Sequence, residues 1–267
     1  MTLLEQNYLE INRNSWNNRL ESHLNSDFYD LTSFLNGKSS LNDIEIDLLG
    51  NIQGKSILHL QCHFGQDTLS LARLGAEVTG VDLSDKAIKK AQELASQLNI
   101  KADFICSDIY DLPKHLDKHF DIVFTSYGTI GWLPDLNKWG KLISQYLKPN
   151  GKFIFVEFHP VVWMFDDNFE RIGYNYFNDG AIIETESGTY ADKNAPITQD
   201  YVCWNHGMGE VINNLIKNGL EILSLDEYDY SPYNCFNKTI EFEPQKYRIE
   251  HLSNKIPMVY ALSAKKK

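Results

Sequence analysis

The sequence has few basic residues, and this scarcity limits the partners it can take. Its 25 Lys and Arg residues stand against 36 Asp and Glu residues, so the formal net charge is −11 at pH 7. A field of this sign repels phosphate backbones, which makes nucleic acid a poor general partner. The one dense basic run, residues 265–267, lies at a chain end and is predicted to be a solvated tail.

Cysteine is also scarce, with four residues spread along the chain at positions Cys62, Cys106, Cys203 and Cys235. They form no C-x-x-C pair, which argues against a disulfide framework and against a zinc ribbon. We therefore predict no metal site, and we expect the protein to work in a reducing compartment.

Long apolar runs are missing as well. Runs such as residues 153–156 fall far short of the ~20 residues needed to cross a bilayer. The first twenty residues mix charged and amide side chains through every turn, so they lack the apolar segment of a secretory signal. These absences predict a cytoplasmic protein without a membrane span.

From Lys55 onward, short apolar runs alternate with helical stretches, a rhythm typical of parallel strands joined by crossover helices. Strands are predicted over residues 56–60, 77–81, 102–106, 120–125, 152–158, 220–225 and 258–264. Helices are predicted over residues 67–74, 84–98, 135–147 and 208–217. The pattern therefore predicts an α/β fold.

The whole chain, residues 1–267, is interpreted as one domain. Residues 1–50 are predicted to form an N-terminal helical cap, residues 51–159 the cofactor-binding core, residues 160–205 a β-rich insertion with a hairpin beginning at 182–186, and residues 206–267 the C-terminal part of the core. In the first helix of the cap, over residues 3–20, the apolar positions at helical spacing are Leu4, Tyr8, Ile11 and Trp16. Aromatic residues in the cap and the insertion either close over a ligand or belong to an ordinary core, and the spacing leaves both open.

A set of residues with side chains suited to a nucleotide follows four successive predicted strands. In an open parallel sheet, ligands bind at the carboxyl ends of the strands, so these positions are candidates for one site. The candidates are Gln61, Cys62, His63 and Gly65 after the first strand, Asp82 and Leu83 after the second, Asp108 and Ile109 after the third, and Ser126 and Tyr127 after the fourth. A single Asp after a strand is more often a helix cap, but four such placements together indicate a binding site.

Two of these carboxylates suit particular parts of a nucleoside. Asp82 is placed to accept hydrogen bonds from both hydroxyls of a ribose. Asp108 is placed to accept from an adenine amino group while Ile109 packs against the ring. Because Asp82 lies at a strand end and outside core packing, we expect its removal to weaken binding and to leave the fold intact.

Residues 57–65 resemble the glycine-rich first motif of class I S-adenosylmethionine-dependent methyltransferases, and residues 76–84 resemble that family's second-strand motif. Asp108 matches the family's adenine contact, and residues 147–151 match its turn before the fifth strand. The resemblance implies a Rossmann-like, doubly wound, mostly parallel seven-stranded sheet with an antiparallel last strand. It also implies S-adenosylmethionine as cofactor, a small-molecule methyl acceptor, and a cradle for the methionine portion formed by residues 61–65.

The first motif departs from the family pattern in its HLQCHFG segment, residues 59–65. Gln61 and His63 stand where the family usually has Gly, and His59 stands where it usually has an acid. Glycine supplies both a positive φ and the absence of a Cβ, so Gln61 is expected either to adopt an ordinary backbone conformation or to direct its amide toward the ligand.

Methyl transfer requires the acceptor to be placed opposite the departing sulfur, and some acceptors must also lose a proton. The candidate bases are His159, at the end of the fifth strand, Tyr127 and, with less support, His206. For His159 a structural role, capping the turn with Pro160, is an equally good interpretation.

Three other functions compete with this one. A dehydrogenase is disfavoured because the sequence lacks a G-x-G-x-x-G segment after the first strand. A metal hydrolase using His59, Cys62 and His63 is disfavoured because no second group of ligands is evident. A noncatalytic S-adenosylmethionine-binding protein stays open. Neither the acceptor nor the oligomeric state follows from the sequence.

Overall fold

In a computed structural model of the chain, which describes residues 7–267, a seven-stranded sheet forms the centre of the protein. Its strands are β1 (Ser56–Leu60), β2 (Glu77–Asp82), β3 (Asp103–Cys106), β4 (Phe120–Ser126), β5 (Leu147–Phe158), β8 (Leu220–Tyr228) and β11 (Val259–Lys266). The strand order is β3-β2-β1-β4-β5-β11-β8, and β11 runs antiparallel to both of its neighbours. The predicted fold is confirmed. The antiparallel last strand lies inside the sheet, with β8 at the edge.

Seven helices and two separate hairpins complete the structure over residues 7–267. The helices are α1 (Tyr8–Leu24), α2 (Leu31–Leu35), α3 (Asp43–Leu49), α4 (Gln66–Arg73), α5 (Asp85–Gln97), α6 (Leu136–Tyr146) and α7 (Met208–Lys217). Short 3₁₀ turns cover Ile109–Lys114, Ile130–Trp132 and Val162–Met164. The hairpins are β6 (Ile182–Ser187) with β7 (Thr198–Cys203) and β9 (Thr239–Glu243) with β10 (Lys246–Ile249).

The helices of the core follow from local sequence signals. The Ser84 hydroxyl accepts a hydrogen bond from the amide of Ala87, which satisfies one of the free N–H groups at the start of α5. Asp135 caps α6 in the same way by accepting from the amides of Asn137 and Lys138. Within α6, Trp139 is fully buried against the sheet side chains of the main core. Capping and burial on one face therefore agree with the predicted helices.

Helix α1 differs from its prediction. Leu4 lies outside the described residues, and the helix begins at Tyr8. Tyr8, Ile11 and Trp16 are only half-buried. Its buried face is mostly polar, made of Asn12, Ser15, Arg19, Leu20 and His23.

The reason is that α1 covers a polar region. The Asn12 side chain donates to the carbonyl of Val202 in β7 at 2.8 Å and accepts from the amide of the same residue at 2.9 Å. An apolar stripe would leave these backbone groups of β7 without partners.

Two other segments were predicted incompletely. The connection before β11, for which no strand was predicted, contains the β9–β10 hairpin. Residues 149–151, predicted to be a turn before the fifth strand, lie inside β5, where Asn150 has a φ of 63°. Among residues 7–267 no helix combines the length and the apolar character needed to cross a bilayer.

Candidate active site

A cavity of about 1280 Å³ lies at the carboxyl ends of the parallel strands. The sheet order reverses beside β1, which has β2 on one side and β4 on the other, and this is where ligands bind in doubly wound sheets. Every residue predicted to contact the cofactor lines this cavity: Gln61, Cys62, His63, Gly65, Asp82, Leu83, Asp108, Ile109, Ser126 and Tyr127. The structure therefore brings the four strand-end groups together, although their contacts with a ligand stay predictions.

The turn after β1 keeps a left-handed backbone at all three positions where the family usually has glycine. The φ angles are 56° at Gln61, 49° at His63 and 82° at Gly65. Gln61 thus has neither the ordinary backbone conformation nor the ligand-directed amide nitrogen that the sequence led us to expect. Its backbone is left-handed, and its side-chain nitrogen donates to the carbonyl of Thr129 at 2.8 Å. A left-handed non-glycine residue costs about 1–2 kcal/mol, and the hydrogen bond offsets part of this cost.

Gly65 is the position in this turn that cannot carry a side chain. A Cβ there would lie 2.8 Å from Phe104 Cε1 and 2.9 Å from Ala91 Cβ. The N-terminus of α4 therefore packs directly against β3 and α5. This close packing places the start of α4 against the cavity.

Asp82 connects the ends of β1 and β2. Its Oδ2 accepts from the amide of His63 at 2.8 Å, and its Oδ1 accepts from the amide of Ser84 at 2.8 Å. Desolvation raises the pKa of Asp82 to about 6. A carboxylate has about four lone-pair sites, so both oxygens can still accept from a ligand. Asp82 therefore holds the turn as well as lining the cavity, and its removal is expected to affect folding, contrary to our expectation from the sequence.

Asp108 keeps more of its carboxylate available. One oxygen accepts from the amide of Tyr110 at 3.2 Å, which caps the 3₁₀ turn that follows. Ile109 is buried beside it. The pair matches the expected arrangement of an acceptor next to an apolar surface.

Glu157 in β5 is a buried carboxylate that the sequence analysis missed. It accepts hydrogen bonds from the backbone amides of Gly128, Thr129, Ile130 and Phe158, and from the Thr129 hydroxyl. These bonds fix the turn after β4 and orient the Thr129 carbonyl that receives the Gln61 amide. The signal available in the sequence was an acid inside the apolar run of residues 153–158.

Tyr127 is held by a second buried carboxyl group. Its hydroxyl donates to Glu45 Oε2 at 3.2 Å, and Glu45 is fully buried in α3. Burial raises the pKa of Glu45 from 4.5 to about 8. Burial and the charge of Glu45 also raise the pKa of Tyr127 well above 10. The Tyr127 hydroxyl therefore stays protonated near neutral pH with its hydrogen donated to Glu45, and it is poorly suited to act as a base.

Asp67, in the first turn of α4, also lines the cavity and was missed as a candidate. Its Oδ2 accepts from the Ser126 hydroxyl at 3.4 Å. Desolvation raises its pKa to about 6. A carboxylate with this pKa can exchange a proton near neutral pH.

His159 is not among the residues that line the cavity. Its Nε2 lies 2.9 Å from Glu227 Oε1, and its Nδ1 accepts from the amide of Val161 at 3.2 Å. Burial lowers its pKa. With both ring nitrogens occupied, the geometry favours the capping role over the role of base.

Two further histidines also have hydrogen-bond partners within the protein. His206 lines the cavity, but its Nε2 lies 2.8 Å from the carbonyl oxygen of Leu133 and its Nδ1 lies 3.0 Å from Glu210 Oε2. His59 lies 2.8 Å from the Thr68 hydroxyl, and burial lowers its pKa to about 3. His59 is therefore neutral where the family usually has an acid.

The N-terminal segment and the insertion both contribute to the wall of the cavity. Aromatic residues from both segments line it, among them Trp16, Phe28, Tyr29, Trp163, Phe165 and Tyr174. The two segments are joined by the Arg19–Glu186 ion pair at 2.7 Å and by the hydrogen bonds between Asn12 and Val202. They thus form a continuous cover over the strand ends.

Residues 57–151 match the family profile described as "Methyltransferase domain". Among curated proteins, the chain is similar to the ubiquinone biosynthesis O-methyltransferase of Chromobacterium violaceum, with 29% identity over 137 residues, and to that of Coxiella burnetii, with 35% identity over 104 residues. These matches cover 50% and 39% of this chain, and 59% and 44% of the relatives. The chain thus spans about half the length of the curated relatives that it matches.

Among solved structures, the chain is similar to an S-adenosylmethionine-dependent methyltransferase from Mesorhizobium loti. The TM-score is 0.60, the identity is 23%, and the match covers 87% of this chain and 100% of that one. At this level of identity the likeness establishes the fold.

We predict that Glu157→Gln destabilises the protein. The amide nitrogen of Gln cannot accept a hydrogen bond, so at least one buried backbone N–H of the turn after β4 would lose its partner. The expected loss is about 1–3 kcal/mol in the free energy of unfolding, measured by denaturant titration. Glu77→Gln, which changes an exposed carboxylate at the start of β2, is the control. Equal stabilities of the two variants would contradict the role assigned to Glu157.

We also predict that Glu45→Gln changes how stability depends on pH. Between pH 4.5 and about 8 the unfolded chain releases the Glu45 proton while the folded protein keeps it. The parent's free energy of unfolding therefore falls as pH rises through this window. Gln does not titrate, so the thermal midpoint of the variant should rise relative to that of the parent as pH increases from 5 to 8.5. Asp47→Asn, an exposed change in the same helix, controls for net charge. A difference that stays constant with pH would contradict the prediction.

Proposed function

We propose that this chain, whose residues 57–151 match the methyltransferase domain profile, is a class I S-adenosylmethionine-dependent methyltransferase that transfers the methyl group of S-adenosylmethionine to a small-molecule acceptor. The observation that supports this most strongly is the convergence of the four strand-end groups on one cavity. Cavities for one small ligand usually measure about 300–1,000 Å³, so this cavity has room for a nucleoside and an acceptor together.

The residues present fit the cofactor despite the replaced glycines. The turn after β1 keeps the left-handed backbone that glycine would provide, and Gly65 keeps the start of α4 close to the sheet. The Oε1 of Gln61 and the Nδ1 of His63 are buried and have no hydrogen-bond partner within residues 7–267. Both residues line the cavity where the methionine portion would lie, so these two atoms are candidates for polar contacts with it.

Each strand-end group then has a proposed role. Asp82 would accept from the ribose hydroxyls, Asp108 from the adenine amino group, and Ile109 would pack against the ring. Residues 61–65 would hold the methionine portion. When bound, S-adenosylmethionine supplies a methyl carbon on a positively charged sulfur, which is electrophilic enough that no protein nucleophile is needed.

The chain's own task is to place the acceptor and to manage its proton. The Tyr127 hydroxyl donates its hydrogen to Glu45, so it would orient the acceptor through its oxygen, by accepting a hydrogen bond. Asp67 and Asp82 both have a pKa of about 6, but Asp82 is held by the amides of His63 and Ser84, so we propose Asp67 as the proton acceptor in place of His159. The cover formed by α1 and the insertion would exclude water from the reacting groups.

The acceptor cannot be taken over from the curated relatives. Their matches extend over 137 and 104 residues, whereas the cap at residues 1–50 and the insertion at residues 160–205 are separated by more than a hundred positions. Neither match can include in full both of the segments that would shape the acceptor pocket, because these segments run from residue 1 to residue 205. We also propose that the chain forms a single domain in which residues 160–205 are an insertion. Because all four cysteines are free thiols, we propose that the protein works in the cytoplasm.

We predict that the protein binds S-adenosylhomocysteine and S-adenosylmethionine in preference to NAD, measured by calorimetry. Asp82→Ala should weaken S-adenosylhomocysteine binding at least about tenfold, because it removes hydrogen bonds to a charged acceptor. It should also lower the unliganded thermal midpoint, since the amides of His63 and Ser84 lose their partner. Asp103→Ala, which removes an exposed carboxylate at the start of β3, is the control.

Tight binding of NAD without a response to either sulfur nucleoside would reject the proposed function. Incubation of the protein and S-adenosylmethionine with a panel of small molecules should produce a product that is one methyl group heavier. Binding without methyl transfer across a broad panel would instead support a noncatalytic protein.

A further inference from the structure

Arg19 is a buried cation with an unused donor. It lies on α1, its side chain lines the cavity, and only 3% of its surface is exposed. One terminal nitrogen, Nη2, donates to Glu186 Oε2 at 2.7 Å. The Nε–H is buried and has no acceptor anywhere in residues 7–267. An unsatisfied buried donor on a charged group costs more than about 1–3 kcal/mol, so a ligand that accepts from it is strongly favoured.

Aromatic rings surround this guanidinium. Its central carbon lies 5.3 Å from the ring centre of Trp16, 5.7 Å from that of Trp132 and 5.6 Å from that of Tyr201. All three rings also line the cavity. They shield the charge from solvent and hold the planar group in place, which strengthens its attraction for an anion.

A pair of histidines lies next to the same wall. His23 Nδ1 and His63 Nε2 are 2.8 Å apart, and the His63 ring centre lies 5.2 Å from that of Trp16. The outer nitrogens, His23 Nε2 and His63 Nδ1, are buried without a partner in residues 7–267. One proton is shared between the two rings, so the pair can present either a donor or an acceptor at His63 Nδ1 by changing tautomer. In one tautomer His63 Nδ1 is thus a donor without a partner, and its ring contacts Trp16, the same ring over which the Arg19 guanidinium lies.

We propose that Arg19 anchors a binding site for a carboxylate group in this cavity, with His63 as a second donor. The fork of guanidinium N–H groups matches the planar carboxylate. Glu186 already neutralises part of the Arg19 charge, so a singly charged carboxylate suits the site better than a dianionic phosphate.

This inference rests on the proposed function, which provides two sources for the carboxylate. One is the methionine portion of the cofactor, because residue His63 belongs to the turn proposed to hold it. The other is a carboxylate on the acceptor, because α1 and the insertion cover the cavity together. In both cases the group that Arg19 binds is a carboxylate, and the experiment below separates the two sources.

The competing explanation is that Arg19 serves only to tie α1 to the insertion through Glu186. Glu186→Gln breaks this ion pair and leaves the guanidinium in place, so it is the matched control for Arg19→Gln. A purely structural tie predicts the same effects from both substitutions. A carboxylate site predicts that only the change at Arg19 impairs binding.

Calorimetry would compare S-adenosylhomocysteine with its decarboxylated analogue on the parent and both variants. If the cofactor supplies the carboxylate, Arg19→Gln weakens S-adenosylhomocysteine binding at least about tenfold and changes binding of the analogue less than about twofold, while Glu186→Gln does not weaken either. If the acceptor supplies it, Arg19→Gln leaves both nucleosides unchanged. In that case benzoate raises the thermal midpoint of the parent and of Glu186→Gln, each saturated with S-adenosylhomocysteine. It does not raise the midpoint of Arg19→Gln under the same conditions.

Equal effects of the two substitutions, or no effect of Arg19→Gln on either nucleoside or on benzoate, would overturn the carboxylate site. Unliganded thermal midpoints report whether each variant folds. If Arg19→Gln does not fold, Arg19→Lys takes its place, because it keeps the charge beside Glu186 but lacks the Nε–H and the planar fork. If Arg19→Lys then binds both nucleosides with the parent's affinity and is stabilised by benzoate as the parent is, the proposal is overturned. Failure of the parent to bind either nucleoside would reject the proposed function itself, which distinguishes that result from a loss confined to Arg19.

Discussion

The hydrogen bonds that Glu157 and Asp82 accept from backbone amides hold the turns after β4 and β1, and the shape of the cavity depends on them. Parallel strands end with N–H groups that the sheet no longer pairs, and where these groups are buried they need acceptors. Glu157 supplies acceptors for the turn after β4, and Asp82 does so at the ends of β1 and β2. Gln61 joins the two turns through its bond to Thr129.

This arrangement explains how the turn after β1 tolerates side chains in place of glycine. Its backbone needs a positive φ at three positions, but only Gly65 lies too close to its neighbours to carry a Cβ. At the other two positions the side chains make compensating contacts. Gln61 binds the turn after β4, and His63 pairs with His23 of the cap. The unusual first motif and the N-terminal cap therefore depend on each other.

The cap in turn carries the polar face that distinguishes it from an ordinary surface helix. It meets backbone groups of β7 and a charged cavity wall, so Asn12 and Arg19 occupy positions that core packing would give to apolar residues. Each of these contacts costs desolvation, which the pairing with Val202 and Glu186 offsets. This side of the cavity is thus bounded by polar groups that are far apart in the chain.

The sequence by itself determined the sheet, the core helices and the set of strand-end residues, because strand periodicity and helix caps are local signals and parallel strands bring their carboxyl ends to one edge. Only the tertiary structure decided which face of α1 is buried, since Asn12 meets Val202 across 190 positions. It also decided that His159 is occupied by Glu227, and that Glu157, Asp67 and Arg19 belong to the cavity wall. These roles depend on burial and on partners from distant segments, which residue spacing along the chain does not encode.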